Sequence, residues 1–202
     1  MAPKSRLRIS AGILKILSAT RIADSRAFKF QGNSNMAEKD DVFSSEIKFV
    51  GNFNFKDFYQ FCYEWIDNEI GIGVSETKYE EKIKGDEKEI QIEWEGDKKF
   101  TDYFKFEIKV KFTLRYLKDI EVNVGGKKVR MNNGEVKMKV KGTLIRDYAG
   151  KFESSGFSKF MRSVYEKWVI TSRIDQFEDK IIDDCNDLIG QAKAYLDLEA
   201  RK

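Results

Sequence analysis

Residues 104–114 have the sequence FKFEIKVKFTL, in which apolar and polar side chains alternate at every position. Successive side chains of a β-strand point to opposite faces of a sheet, so this pattern predicts a strand with one apolar and one charged face. The alternation continues less strictly over residues 78–148, and pairs of turn-forming residues interrupt it. These pairs are Gly85-Asp86, Gly96-Asp97, Gly125-Gly126 and Asn133-Gly134. We therefore predict an antiparallel meander of about six to seven strands.

The turns also predict which residues face each other, because the length of a hairpin loop sets the strand register. A two-residue turn at Gly125-Gly126 would place Val122 opposite Val129. A second one at Asn133-Gly134 would place Val129 opposite Met138. Both turns put the same apolar residues on one face, which predicts a three-stranded meander in this region.

An acidic hairpin is predicted around Gly85-Asp86. With these two residues as the turn, Lys84 faces Glu87. Lys82 then faces Glu89, so opposite charges meet across the hairpin and favour one register.

A first helix is predicted from Asn54 to about Ile70. Asn54 is placed as an N-cap, because its side chain can accept a hydrogen bond from a free backbone N–H of the first turn. Phe53 and Phe58 have the spacing of a hydrophobic staple, and Gly71 ends the helix.

Apolar residues recur at three- and four-residue steps after residue 156, which predicts two further helices, the second ending near residue 199. We expect both to cover the apolar face of the sheet. The second is also long enough for part of it to pair with another copy of the chain as a homodimer. Its apolar stripe comprises Ile174, Phe177, Ile181, Cys185, Leu188, Ala192 and Tyr195, and that of the first helix comprises Phe157, Phe160, Met161, Val164, Tyr165 and Trp168.

The order of strand, helix, antiparallel sheet and long C-terminal helix is typical of the α+β class, with the helices packed on one face. Over residues 45–199 this order resembles the helix-grip fold of START-like ligand-binding domains. The resemblance implies a curved sheet that wraps the C-terminal helix around a ligand cavity. The Lys-, Glu-, Ile- and Phe-rich composition is also similar to that of small uncharacterised archaeal proteins, which implies a cytoplasmic setting.

Positive charge is concentrated at the N-terminus. Residues 1–35 carry seven Lys and Arg against one Asp, a net +6, whereas the whole chain has a net charge of +3. Residues 36–202, a predicted single α+β domain, therefore carry −3. Three interpretations of the basic extension stay open: a tail that touches an anionic surface, a transit-like segment that targets an organelle, or a start codon assigned upstream of Met36.

The residue types exclude several classes of chemistry. The chain has no histidine, the commonest general base and metal ligand, and only two cysteines, Cys62 and Cys185. Two thiols without a histidine cannot make a four-ligand zinc site unless carboxylates or another subunit complete it, and a disulfide framework needs more cysteines. We therefore expect a non-enzymatic protein without a metal or cofactor. No apolar run is long enough to predict a transmembrane helix.

Like charges meet on the polar face of the predicted meander. In the predicted register Lys128 faces Lys139, and Arg130 faces Lys137. Facing like charges destabilise a sheet, so this face is a candidate surface for an anionic partner or for nucleic acid phosphates. Alternatively, the lysines are solvated, or acidic residues from other segments neutralise them. The candidate residues are Lys127, Lys128, Arg130, Lys137, Lys139 and Lys141.

The apolar face offers a second candidate site, because its large aromatic rings could line a cavity for an apolar small molecule or lipid. The candidate residues are Tyr79, Trp94, Phe104, Phe106, Phe112, Phe160, Trp168 and Phe177. The leading hypothesis is thus a non-enzymatic binding or interaction module that holds such a ligand between the sheet and the C-terminal helix. The alternatives are a nucleic-acid-associated protein that uses the extension and the basic face, and an oligomeric structural protein.

Overall fold

The computed structural model describes residues 37–124, 126–150, 152 and 155–200; the side chains of Val124, Lys127 and Lys159 are outside that description. The predicted basic extension, residues 1–35, lies outside the described residues. The strands are β1 (Glu38–Phe53), β2 (Val74–Lys84), β3 (Glu87–Lys99), β4 (Phe104–Val124) and β5 (Lys127–Arg146). The helices are α1 (Phe55–Trp65), which continues as a short π-helix (Ile66–Ile70), α2 (Gly156–Trp168) and α3 (Thr171–Glu199).

The five strands of the described residues form one antiparallel sheet in the order β1-β5-β4-β3-β2. β2 to β5 are a meander, and β1 closes the far side by pairing with β5. The predicted α+β class, antiparallel sheet and long C-terminal helix are confirmed. The predicted number of strands, six to seven, is wrong.

One extra strand was predicted because Asn133-Gly134 was interpreted as a turn, which it is not. β5 continues through both residues, and Asn133 pairs with Asn52 of β1 on one side and with Lys118 of β4 on the other. β4 has a bulge between Arg115 and Lys118, and a Cβ atom at Gly134 would lie 2.9 Å from the Arg115 carbonyl oxygen. The glycine is therefore required by the close approach of the bulge, and the predicted three-stranded meander is wrong.

Gly96-Asp97 is not a turn either, since β3 continues to Lys99. A Cβ atom at Gly96 would lie 2.7 Å from Cγ2 of Ile72 and 2.8 Å from Cγ1 of Val74. The absent side chain lets the segment after the π-helix pack directly on β3.

Two predicted hairpins and the first helix are confirmed. Gly85 has a φ of 65° in the turn between β2 and β3, where Lys84 faces Glu87 and Lys82 faces Glu89. Val122 faces Val129 across the β4–β5 turn. At the start of α1, the side chain of Asn54 accepts a hydrogen bond from the backbone N–H of Asp57, and Gly71 ends the π-helix in the left-handed conformation.

The hydrophobic core lies between the apolar face of the sheet, α1 and α3. The predicted stripe of α3 is confirmed at its centre, where Ile181, Cys185, Leu188 and Ala192 are buried. The predicted homodimer would pair through this apolar face of α3, but the face is already buried in the chain's own core. α3 and β5 approach closely at Gly142, where a Cβ atom would lie 2.7 Å from Cγ2 of Ile181.

We expect Gly142→Ala to lower the free energy of unfolding by about 1–3 kcal/mol, because the added methyl group overpacks the contact between α3 and β5. Chemical denaturation measures the change. The matched control is Gly190→Ala on α3, where a Cβ atom would meet nothing within 4 Å. That substitution is expected to stabilise the protein by about 0.5–1 kcal/mol. Equal effects of the two substitutions would contradict the close contact.

Candidate functional site

The predicted basic residues do not form one cluster. Because β5 is a single strand, Lys128 faces Asn123 and Arg130 faces Glu121, both on β4. The predicted pairing of Lys128 with Lys139 and of Arg130 with Lys137 is therefore wrong. Eleven residues separate Lys128 from Lys139, which is about 36 Å of extended strand. The side chain of Lys127 lies outside the described residues.

Lys137, Lys139 and Lys141 do share the polar face of the sheet with Lys109 and Lys111 of β4. We call these five residues the lysine face. Lys139 lies opposite Lys111, and Lys141 lies opposite Lys109, so like charges meet here after all, between β5 and β4.

Acidic residues neutralise most of the lysine face. Nζ of Lys111 lies 2.8 Å from Glu93, and Nζ of Lys109 lies 2.8 Å from Glu95, both on β3. Lys141 pairs with Asp41 at 2.7 Å, and Lys137 with Glu135 at 3.7 Å.

The hydrogen bond that Lys111 donates to Glu93 lowers the pKa of that carboxyl group. Lys139 alone on the face has no acidic partner within ion-pair distance among the residues that the structure describes. A surface with one unpaired cation offers little attraction for a phosphate backbone.

The aromatic residues of the predicted cavity divide into two groups. Trp94, Phe104, Phe106 and Phe112 are buried, whereas Tyr79 and Phe177 are half-buried at the edge of the core. Their rings pack on one another: the ring centroids of Trp94 and Phe112 are 4.8 Å apart, and those of Phe104 and Phe177 are 5.0 Å apart.

Phe160 and Trp168 do not belong to this interior. Their exposed fractions are 63% and 76%, so their assignment to an internal cavity is wrong. Both lie on α2, which faces the domain with its polar side. The amphipathic pattern identified the residues that share a face of α2, but not the direction in which that face points.

A cluster of charged residues holds the polar side of α2 against the sheet. Glu166 accepts hydrogen bonds from Nη1 of Arg146, at 2.9 Å, and from Nε of Arg162, at 3.0 Å. Arg146 also reaches two carboxylates of β1, and Arg162 shares one of them. We call this group the α2 ion cluster; it comprises Glu38, Asp40, Tyr103, Arg146, Arg162 and Glu166.

The centre of the cluster is shielded from water, which strengthens the interactions between its charges. The side chains of Arg146, Arg162 and Glu166 are 15%, 11% and 12% exposed. Tyr103 donates a hydrogen bond to Glu166, and burial together with that carboxylate raises the pKa of the Tyr103 hydroxyl. The hydroxyl therefore stays protonated and satisfies the carboxylate.

The apolar side of α2 faces solvent as a result. Its large side chains follow helical three- and four-residue steps, so they form one continuous ridge, which we call the α2 stripe. Phe157, Phe160 and Trp168 alone expose on the order of 400 Å² of aromatic surface. That is comparable to the largest apolar patch of a typical monomer, and such patches are often functional. The stripe comprises Phe157, Phe160, Met161, Val164 and Trp168.

Positive charge flanks the α2 stripe. Residues 155–173 contain four basic residues and one acid, a net +3. The acid, Glu166, and one of the four basic residues, Arg162, belong to the ion cluster on the opposite side of the helix. Nζ of Lys167 lies 5.9 Å from the ring centroid of Trp168. The stripe is thus an aromatic ridge in a positively charged segment.

Among the described residues, no three His, Cys, Asp or Glu side chains converge as a metal site. Cys62 and Cys185 are buried and not joined in a disulfide, and burial raises the pKa of the Cys185 thiol to about 12. No helix in the described part of the chain combines the length and apolarity that crossing a membrane requires.

Comparisons with protein-family models, curated proteins and solved structures found no match. The helix-grip resemblance therefore stays a prediction.

Proposed function

We propose that the protein is a non-enzymatic interaction module whose docking element is α2. The observation that carries the proposal is the orientation of this helix: the α2 ion cluster fixes its polar side to the sheet, and the α2 stripe faces solvent. An amphipathic surface helix of a monomer normally does the reverse.

Burial of the exposed stripe against a partner would contribute a large binding free energy. Burying about 400 Å² of apolar surface corresponds to about 10 kcal/mol at 25 cal/mol per Å², before the costs of association. The ion cluster keeps the stripe exposed, because turning it inward would separate Arg146 from Glu166 and Arg162 from Glu38. A helix that is held in its binding orientation also loses less entropy on docking.

The other two functions receive less support. An apolar ligand between the sheet and α3 would have to separate rings that contact each other there, such as Phe104 of β4 and Phe177 of α3. Nucleic acid binding would have to rely on a lysine face that acids largely neutralise, or on residues 1–35. Both stay predictions.

Fractionation of the native cell lysate tests the proposal without assuming a partner. The wild-type chain is expected in an assembly or particulate fraction, and the double variant Phe160→Ser/Trp168→Ser is expected to be released as a free monomer. The matched control is Ile83→Ser at the end of β2, where the side chain is equally exposed at 68% but isolated from the stripe. A wild-type chain that is itself a free monomer would contradict the proposal.

A further inference from the structure

We propose that the α2 stripe docks on an anionic lipid membrane and that α2 lies flat in the interface without crossing it. The inference rests on the proposed function and names the partner. It follows from the side chains of the stripe, from the charge around it and from its shape.

The side chains are those that favour a membrane–water interface. Trp and Phe occupy the exposed ridge, and Trp in particular prefers the headgroup level, where its ring is apolar and its N–H stays solvated. α2 has 13 residues and is about 20 Å long, too short to span a bilayer but long enough to bury a ridge at its surface.

The charge favours an anionic surface. Residues 155–173 carry +3, whereas residues 36–202 as a whole carry −3, so the segment that contains the stripe is basic in an otherwise acidic domain. Lys167, beside the Trp168 ring, and Arg173, at the start of α3, are both exposed and can meet headgroup phosphates. Glu166 would repel such a surface, but Arg146 and Arg162 hold it on the far side of α2.

The same facts disfavour a second copy of the chain. Pairing two α2 stripes would bring two segments of charge +3 together, which costs free energy. The ridge is also convex, and two protein surfaces need complementary shapes to bury it, whereas a fluid lipid interface adapts to it.

Vesicle flotation with the full chain tests the inference. The probe is phosphatidylcholine vesicles with or without phosphatidylglycerol. We expect the wild-type chain to float with the phosphatidylglycerol vesicles and to bind them at least about tenfold more tightly than Phe160→Ser/Trp168→Ser does, since that variant loses two buried rings. Ile83→Ser is expected to bind like the wild type. In the same samples, lipids that carry bromine on their acyl chains should quench the fluorescence of Trp168. The Trp168→Phe variant identifies this contribution, because it lacks that fluorophore.

The double variant separates the α2 stripe from the basic extension, because it retains every charge of the chain. Equal flotation of wild type and variant would assign the binding to residues 1–35 and overturn the inference. Absence of flotation, or a dimer in solution that the double variant abolishes, would also overturn it. If cell fractionation still depends on the stripe in those cases, the proposed function survives with a protein partner in place of the membrane.

Discussion

Arg146→Ala is expected to release α2 from the sheet and to lower the free energy of unfolding by about 3 kcal/mol. Arg146 contacts Glu38 at 3.1 Å, Asp40 at 2.6 Å and Glu166 at 2.9 Å, and only 15% of its side chain is exposed. Removing it would leave Asp40 without its cation and Glu38 and Glu166 with Arg162 alone. Breaking one partner out of a buried ion pair is strongly destabilising.

Hydrogen exchange locates the effect of Arg146→Ala. Amides of α2 should lose protection before those of α3, because the cluster attaches α2 and the hydrophobic core attaches α3. The control is Lys180→Ala, which removes an exposed ion pair with Asp184 within α3 and should cost about 0.3–0.5 kcal/mol. If Arg146→Ala were no more destabilising than Lys180→Ala, the ion cluster would not be what orients α2.

Phe112→Ala is expected to cost about 3–5 kcal/mol of unfolding free energy, because Phe112 is fully buried and its removal leaves a cavity. Its ring packs against those of Trp94, Phe58 and Tyr59. Phe160→Ala is the same substitution on the α2 stripe, and at an exposed position it should change stability by less than about 0.5 kcal/mol.

The unfolding free energies of both variants also test the predicted cavity for an internal ligand. A loss below about 1 kcal/mol for Phe112→Ala would mean that the ring borders open space, and it would favour a ligand cavity between the sheet and α3. A large loss for Phe160→Ala would mean that the stripe is packed on the domain.

Local patterns were sufficient to predict much of the fold. The alternation in residues 104–114 gave the orientation of β4, the cap at Asn54 gave the start of α1, and Gly85-Asp86 gave a correct hairpin register. Each of these depends on residues that are neighbours in the sequence or across one short turn.

Long-range contacts explain the failures. Asn133-Gly134 has the composition of a turn, but Gly134 is needed because the Arg115 carbonyl of the β4 bulge lies against it. A glycine that permits a close approach and a glycine that permits a turn look identical in a sequence.

The candidate site could be predicted only in part. The periodicity of the α2 stripe was visible in the sequence, but the basic character of residues 155–173 was not used. Its outward direction depends on Arg146 and Glu38, which are 20 and 128 residues from Glu166 in the chain. No local pattern links these residues, whereas the opposing carboxylates and guanidinium groups are evident once the sheet places β1 and β5 side by side.

The central claim is that α2 turns its polar side inward and its apolar side outward. Thiol labelling of Phe160→Cys under native conditions tests it most directly, with buried Cys62 and Cys185 as internal controls. We predict that the introduced thiol reacts with a maleimide as fast as it does in the unfolded chain, while the two native thiols stay unmodified. An introduced thiol as protected as Cys62 would show that the stripe is packed against the domain and would contradict the account.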